Sequence, residues 1–135
     1  MASITVEATL KAAAGKAWAM LRDVAAADRA FPGVLAGSRL DGDVRTVTFG
    51  NGAVVRERIL DINEARRRVA YTVVAGRFSH HNASMQVIAE GPCQSRFVWV
   101  SDFLPDDAGP VVQALAERGA EAFRGAAEAA AQEGS

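Results

Sequence analysis

Residues Ser3 to Leu10 alternate: Ile4, Val6, Ala8 and Leu10 fall on one face, Ser3, Thr5, Glu7 and Thr9 on the other. That period of two is what a half-buried strand imposes. From Lys11 to Asp23 the period changes. Ala14, Ala17, Trp18, Leu21 and Val24 recur three and four apart, which predicts a helix. Ala25 to Phe31 continues as a second short helix, stopped by Pro32-Gly33. From Leu35 to Phe103 nearly every segment reads as strand. The predicted strands are Leu35–Leu40, Val44–Phe49, Ala53–Ile62, Arg68–Ala75, Ser79–Glu90 and Ser95–Phe103. Between them lie Asp41-Gly42-Asp43, Gly50-Asn51-Gly52, Asn63-Glu64-Ala65-Arg66, Gly76 and Gly91-Pro92. Gly50-Asn51-Gly52 marks a tight turn, because these residues tolerate positive φ. Leu104-Pro105-Asp106-Asp107 leads into strong helix formers from Ala108 to about Ala131. An aspartate there can cap the first amides, and Pro110 is accepted in a first turn. Val111, Val112, Leu115, Ala122, Phe123 and Ala126 form the apolar stripe of that helix.

The order is strand, two short helices, six strands, long helix. Hairpins join the middle strands, so the sheet is antiparallel. One face of it needs a cover, and the long helix supplies one. The expectation is an α+β fold of about seven strands in one domain spanning residues 1–135.

Composition narrows the function. Half of the 135 residues are apolar, 23% are charged and the net charge is −1. Without a broad basic field, a nucleic-acid backbone is not an expected partner. Arg66-Arg67-Arg68 reads as a solvated turn into a strand. Cys93 is the single cysteine, which excludes an internal disulfide and a cysteine-built zinc site. No window approaches the ~20 apolar residues that span a bilayer. The first residues have neither a basic start nor an apolar run, so cytoplasmic residence is the expectation. No nucleophile elbow, P-loop or dinucleotide glycine fingerprint is present, and no cofactor is expected. His80-His81 does not suit a metal, since strand neighbours point to opposite faces. A homodimer stays open.

Parity along each strand assigns the faces. Val55, Glu57 and Ile59 share one face, and Arg56 and Arg58 the other; two arginines favour water, so Glu57 points inward. Val69, Tyr71 and Val73 align, as do His81, Ala83, Met85 and Val87. Phe97, Trp99, Ser101 and Phe103 align on the last strand. The inward set is apolar with Glu57, Tyr71, His81 and Ser101 as polar members. That is the composition of a small-molecule site, or equally of a solid core whose polar groups satisfy one another. A buried, unpaired Glu57 would carry a raised pKa. Trp18 and Trp99 read as core, Cys93 as a bystander, and Phe31 as a gate on the loop over the mouth.

The segments Ser3-Ile4-Thr5-Val6-Glu7-Ala8, a helix carrying Ala17-Trp18 and Leu21, and Phe31-Pro32-Gly33-Val34 form one set of matches. Val55 to Asp61, Arg68-Val69-Ala70-Tyr71, and Phe97-Val98-Trp99 with Phe103 form another. In this order they resemble the polyketide cyclase/dehydrase-like branch of the SRPBCC superfamily, which also holds the START lipid-transfer and birch-pollen-allergen-like proteins. The resemblance implies a helix-grip fold with a cavity between sheet and C-terminal helix. It does not imply one activity, since members bind lipids, hormones or polyketides and some cyclise or dehydrate them. The position of His81 is commonly aromatic in that branch, and here His80-His81 stands instead.

Three functions follow. The first is a carrier for an apolar, lipid- or polyketide-like small molecule, with Phe31, Val55, Ile59, Val73, Met85, Trp99 and Phe103 as walls. The second is a cofactor-free cyclase or dehydratase in which Glu57, Tyr71 and His81 act as acid and base. The third is a protein-interaction module with a vestigial pocket.

Overall fold

The computed structural model describes residues 2–75 and 78–133. Strand β1 (Ala2–Leu10) leads into helix α1 (Ala14–Leu21), a 3-10 turn (Val24–Ala26) and the short helix α2 (Ala27–Ala30). Six strands follow: β2 (Leu35–Asp41), β3 (Val44–Phe49), β4 (Val54–Asn63), β5 (Arg68–Ala75), β6 (His80–Ala89) and β7 (Ser95–Leu104). A 3-10 turn (Asp106–Ala108) opens into the 25-residue helix α3 (Gly109–Glu133). The expected second helix is thus split into a 3-10 turn and a single helical turn. The turn expected at Gly76 lies outside the described residues. Pro105, and not an aspartate, stands ahead of the 3-10 turn that precedes α3.

The strands form one seven-stranded sheet in the order β1-β7-β6-β5-β4-β3-β2, with every neighbouring pair antiparallel. Register shifts between Leu35 and Gly37, Arg56 and Glu57, and Ile59 and Asp61 bend the β2–β4 half. The fold is therefore the α+β helix-grip layout, a curved sheet gripping α3. Among the described residues no helix is long and apolar enough to cross a membrane.

Helix α3 packs on β1, β7, α1 and α2. Its buried line is Val112, Ala116, Gly119, Ala120, Phe123 and Ala127. This corrects the stripe expected from hydrophobicity: Val111 is exposed, and Leu115, Ala122 and Ala126 are only half-buried. Four of these six are alanine or glycine, and at Gly119 the helix lies directly on Trp99. A Cβ added at Gly119 would overlap Cζ3 of that indole and stand 3.0 Å from Cη2. Phe97 stacks on Phe123 with ring centroids 4.6 Å apart, and Phe31 packs against Phe97, Trp99 and Phe123.

Polar groups pin the periphery. The Trp18 indole donates to Glu64 at 2.8 Å, and Arg22 pairs with the same carboxylate. The Ser95 hydroxyl donates to the Ala12 carbonyl at 2.8 Å. In the basic run, Arg67 takes a positive φ of 51° and the backbone carbonyls of Arg66 and Arg67 accept from Gln86 and Val87. That run is a turn into β5, as its composition suggests.

Candidate functional site

A cavity of about 550 Å3 lies between the concave face of the sheet and α3. Val47, Val55, Val73, Met85 and Trp99 supply apolar wall from five strands, and Leu115 supplies it from the helix. Two lining residues mark the mouth by their exposure: Val54, at 61%, opens the β4 side, and Val111, at 51%, opens the α3 side. Asn51 of the β3–β4 turn and Arg118 of α3 are the exposed polar residues of the same rim. Val111, Leu115 and Arg118 recur at helical spacing, so they form a flank of α3 beside its buried line. The apolar residues of this flank belong to the cavity, which explains why hydrophobicity alone mixed them with the core stripe.

At the inner end sits an ion pair that parity assigned only by half. Arg45 on β3 and Glu57 on β4 are direct cross-strand partners, 7% and 8% exposed. Arg45 donates from Nε to Glu57 Oε1 at 2.9 Å, its Nη2 lies 2.8 Å from the same oxygen, and Nη1 donates to the Val24 carbonyl at 3.3 Å. Its guanidinium stands 5.1 Å from the centroid of the Tyr71 ring, a cation–π contact. Glu57 is therefore inward but paired, not alone. Burial pushes its carboxyl above 4.5, while the Arg45 charge and hydrogen bond work against the rise.

Tyr71 and His81 also reach the cavity. Burial, then the neighbouring Glu57 charge, raises the Tyr71 phenol above its usual 10.0, with Arg45 opposing. Tyr71 is thus a neutral hydrogen-bond donor and not a phenolate base. Burial, then the His80 charge, lowers His81 below 6.5, so its imidazole is neutral at neutral pH. One ring nitrogen, Nε2, lies 3.4 Å from the Ser101 hydroxyl; the other, Nδ1, is buried without a hydrogen-bond partner among the described residues. Phe78 lies against the His81 ring at 4.7 Å between centroids.

The structure brings Glu57, Tyr71 and His81 to one cavity, together with Phe31, Val55, Val73, Met85 and Trp99. Two expected walls lie elsewhere. Ile59 is beyond Glu57 and packs against the core cluster. Phe103 is fully buried behind His81 and Phe78, beneath the start of α3 at Gly109. Phe31 lines the cavity but is not a gate on a loop, because it is buried in the aromatic cluster with Phe97, Trp99 and Phe123. Arg45 and Arg118 were not singled out from sequence. Arg45 shares its strand face with Val47 and Phe49, which was the available signal; Arg118 follows Val111 and Leu115 at the same helical spacing.

A model of the family described as polyketide cyclase / dehydrase and lipid transport matches residues 1–133. No curated protein sequence matches the chain. Among solved structures, an uncharacterised protein from Bacillus thuringiensis superposes with a TM-score of 0.85 at 18% identity, covering 93% of this chain and 98% of that one. The Zhui aromatase/cyclase from Streptomyces sp. R1128 gives 0.77 at 20% identity, over 98% and 94%. A START superfamily protein from Mycobacterium smegmatis gives 0.75 at 16% identity, over 98% and 99%. At these identities the superpositions establish the shared fold.

Proposed function

Since the chain belongs to the polyketide cyclase / dehydrase and lipid transport family, within the SRPBCC superfamily, we propose that it binds an apolar small molecule between the sheet and α3. One observation carries this reading: an open, mostly apolar volume of about 550 Å3 that ends on a single buried ion pair. Pockets for drug-sized ligands run about 300–1,000 Å3 with a few placed polar groups. Both guanidinium contacts fall on Oε1 of Glu57, which leaves Oε2 as an acceptor for a ligand hydroxyl, and Tyr71 can donate to a ligand oxygen. A cavity of this volume argues against a vestigial pocket.

A second reading, cyclisation or dehydration of a bound carbonyl compound, is favoured by the protonation states. A neutral His81 can accept a proton from a carbon beside a carbonyl, and a protonated Tyr71 can donate to the oxygen that gains charge. The fold likeness to an aromatase/cyclase fits this reading and does not select it. Native mass spectrometry of freshly purified protein tests the binding reading. The expected result is a folded species heavier than the chain by a discrete small-molecule mass that is released on unfolding. A chain of bare mass that also fails to take up apolar dyes would overturn it. A catalytic role would show as loss of turnover, with binding retained, in His81→Phe.

A further inference from the structure

We propose that the molecule held in this cavity is amphipathic, with an anionic group (a carboxylate, sulfonate or phosphate) bound by Arg118 at the mouth. The inference rests on the cavity being a binding site and adds the charge of what it binds.

The charged residues among the described lining are three: Arg45, Glu57 and Arg118. The first two neutralise each other at the inner end, in contact at 2.8 Å. The described lining therefore carries one uncompensated positive charge, although the whole chain has a net charge of −1. That charge is at the rim. Arg118 is exposed, so its guanidinium stays hydrated and can meet an anion that also keeps part of its water.

The acidic side chains nearest to it along α3 are engaged elsewhere. Glu117 accepts from Gln113 at 3.0 Å, Glu121 pairs with Arg124, and Glu128 accepts from the Lys11 backbone amide at 2.9 Å. Arg118 forms no ion pair among the described residues. A planar guanidinium offers two parallel donors, which matches carboxylate, sulfonate and phosphate oxygens. The helical order Val111, Leu115, Arg118 sets apolar side chains and the charge along one flank, so a ligand with an apolar body and a terminal anion matches both. The opposite rim is compatible: Asn51 uses its Oδ1 to hold the Ala53 amide and carries no negative charge.

Two dyes with one aromatic skeleton separate the claims. 8-Anilinonaphthalene-1-sulfonate is anionic, and N-phenyl-1-naphthylamine is its uncharged parent. Wild-type protein is expected to bind the sulfonate more tightly, with an affinity that falls as salt rises. Arg118→Gln should weaken the sulfonate about fivefold, the weight of one exposed charge pair, remove most of the salt dependence and leave the uncharged dye unchanged. Arg56→Gln, exposed on β4 and outside the cavity lining, should change neither. Equal loss of both dyes in Arg118→Gln, or no change in either, overturns the anion assignment while the cavity reading stands. Failure of wild-type protein to bind either dye overturns the cavity reading, and the assignment with it.

Discussion

Arg45 and Glu57 face each other across β3 and β4 with almost no water. Removing one partner of such a pair strands a buried charge and costs about 3–5 kcal/mol. Arg45→Met, which strands the Glu57 carboxylate, is therefore expected to lower stability by about 3 kcal/mol, roughly 10 °C of Tm for a domain of this size. Arg45→Met combined with Glu57→Leu should recover most of the loss, because apolar replacement of a whole buried pair is often near neutral. Thermal melts of the single and double variants check this; an Arg45→Met protein that melts like wild type would mean the pair is solvated. The same residues show what sequence can say at this scale. Flanking Arg56 and Arg58 turned Glu57 inward by the rule that arginine seeks water. Applied to β3, that rule hides Arg45, whose side chain is buried only because a carboxylate waits opposite and an aromatic ring lies beneath it. A pairing between strands is invisible until their register is known.

At the scale of elements, alternation located all seven strands to within a residue or two, since each strand carries its own period. Helix α3 was harder. Its length was legible, but its contact line was not, because alanine and glycine contribute little hydrophobic signal. What decides the line is closeness. Gly119 admits the Trp99 indole where any Cβ would collide, whereas Gly125, on the same helix, has open space around its missing Cβ. The same substitution should then have opposite signs at the two sites. Gly125→Ala is expected to stabilise by up to about 1 kcal/mol through helix propensity. Gly119→Ala gains the same propensity but forces Trp99 off its seat at about 1–3 kcal/mol, a net loss of about 1 kcal/mol. Urea melts give the signs, and a shifted tryptophan emission in Gly119→Ala alone would show the indole moving. Stabilisation by both substitutions would mean that α3 rides higher above the sheet.

For the whole molecule, two groups at one cavity make stability depend on pH in opposing directions. His81 has a folded pKa below 6.5, so as pH falls through 6.5 the unfolded chain takes up a proton first and stability drops. Glu57 has a folded pKa above 4.5. As pH falls through that raised value the folded chain takes up the proton first, and stability rises until 4.5 is passed. Exposed carboxylates act in a separate window. Glu64 is held below 4.5 by its Trp18 hydrogen bond and then by Arg22, and Glu121 by its Arg124 hydrogen bond. Their stabilisation is present above 4.5 and is lost only as pH falls through their lowered values. Between 4.5 and 6.5 the slope of wild-type protein should therefore be a difference of two terms. His81→Phe removes the falling term, so its stability should decline less, or even increase, on going from pH 7 to pH 5. Glu57→Gln removes the rising term and should decline more steeply than wild type over the same interval, whatever its stability at pH 7. Urea midpoints at pH 7, 6 and 5 for the three proteins give these slopes. Parallel slopes in all three would mean that neither group changes its proton affinity on folding, and that the inner end of the cavity is as wet as its mouth.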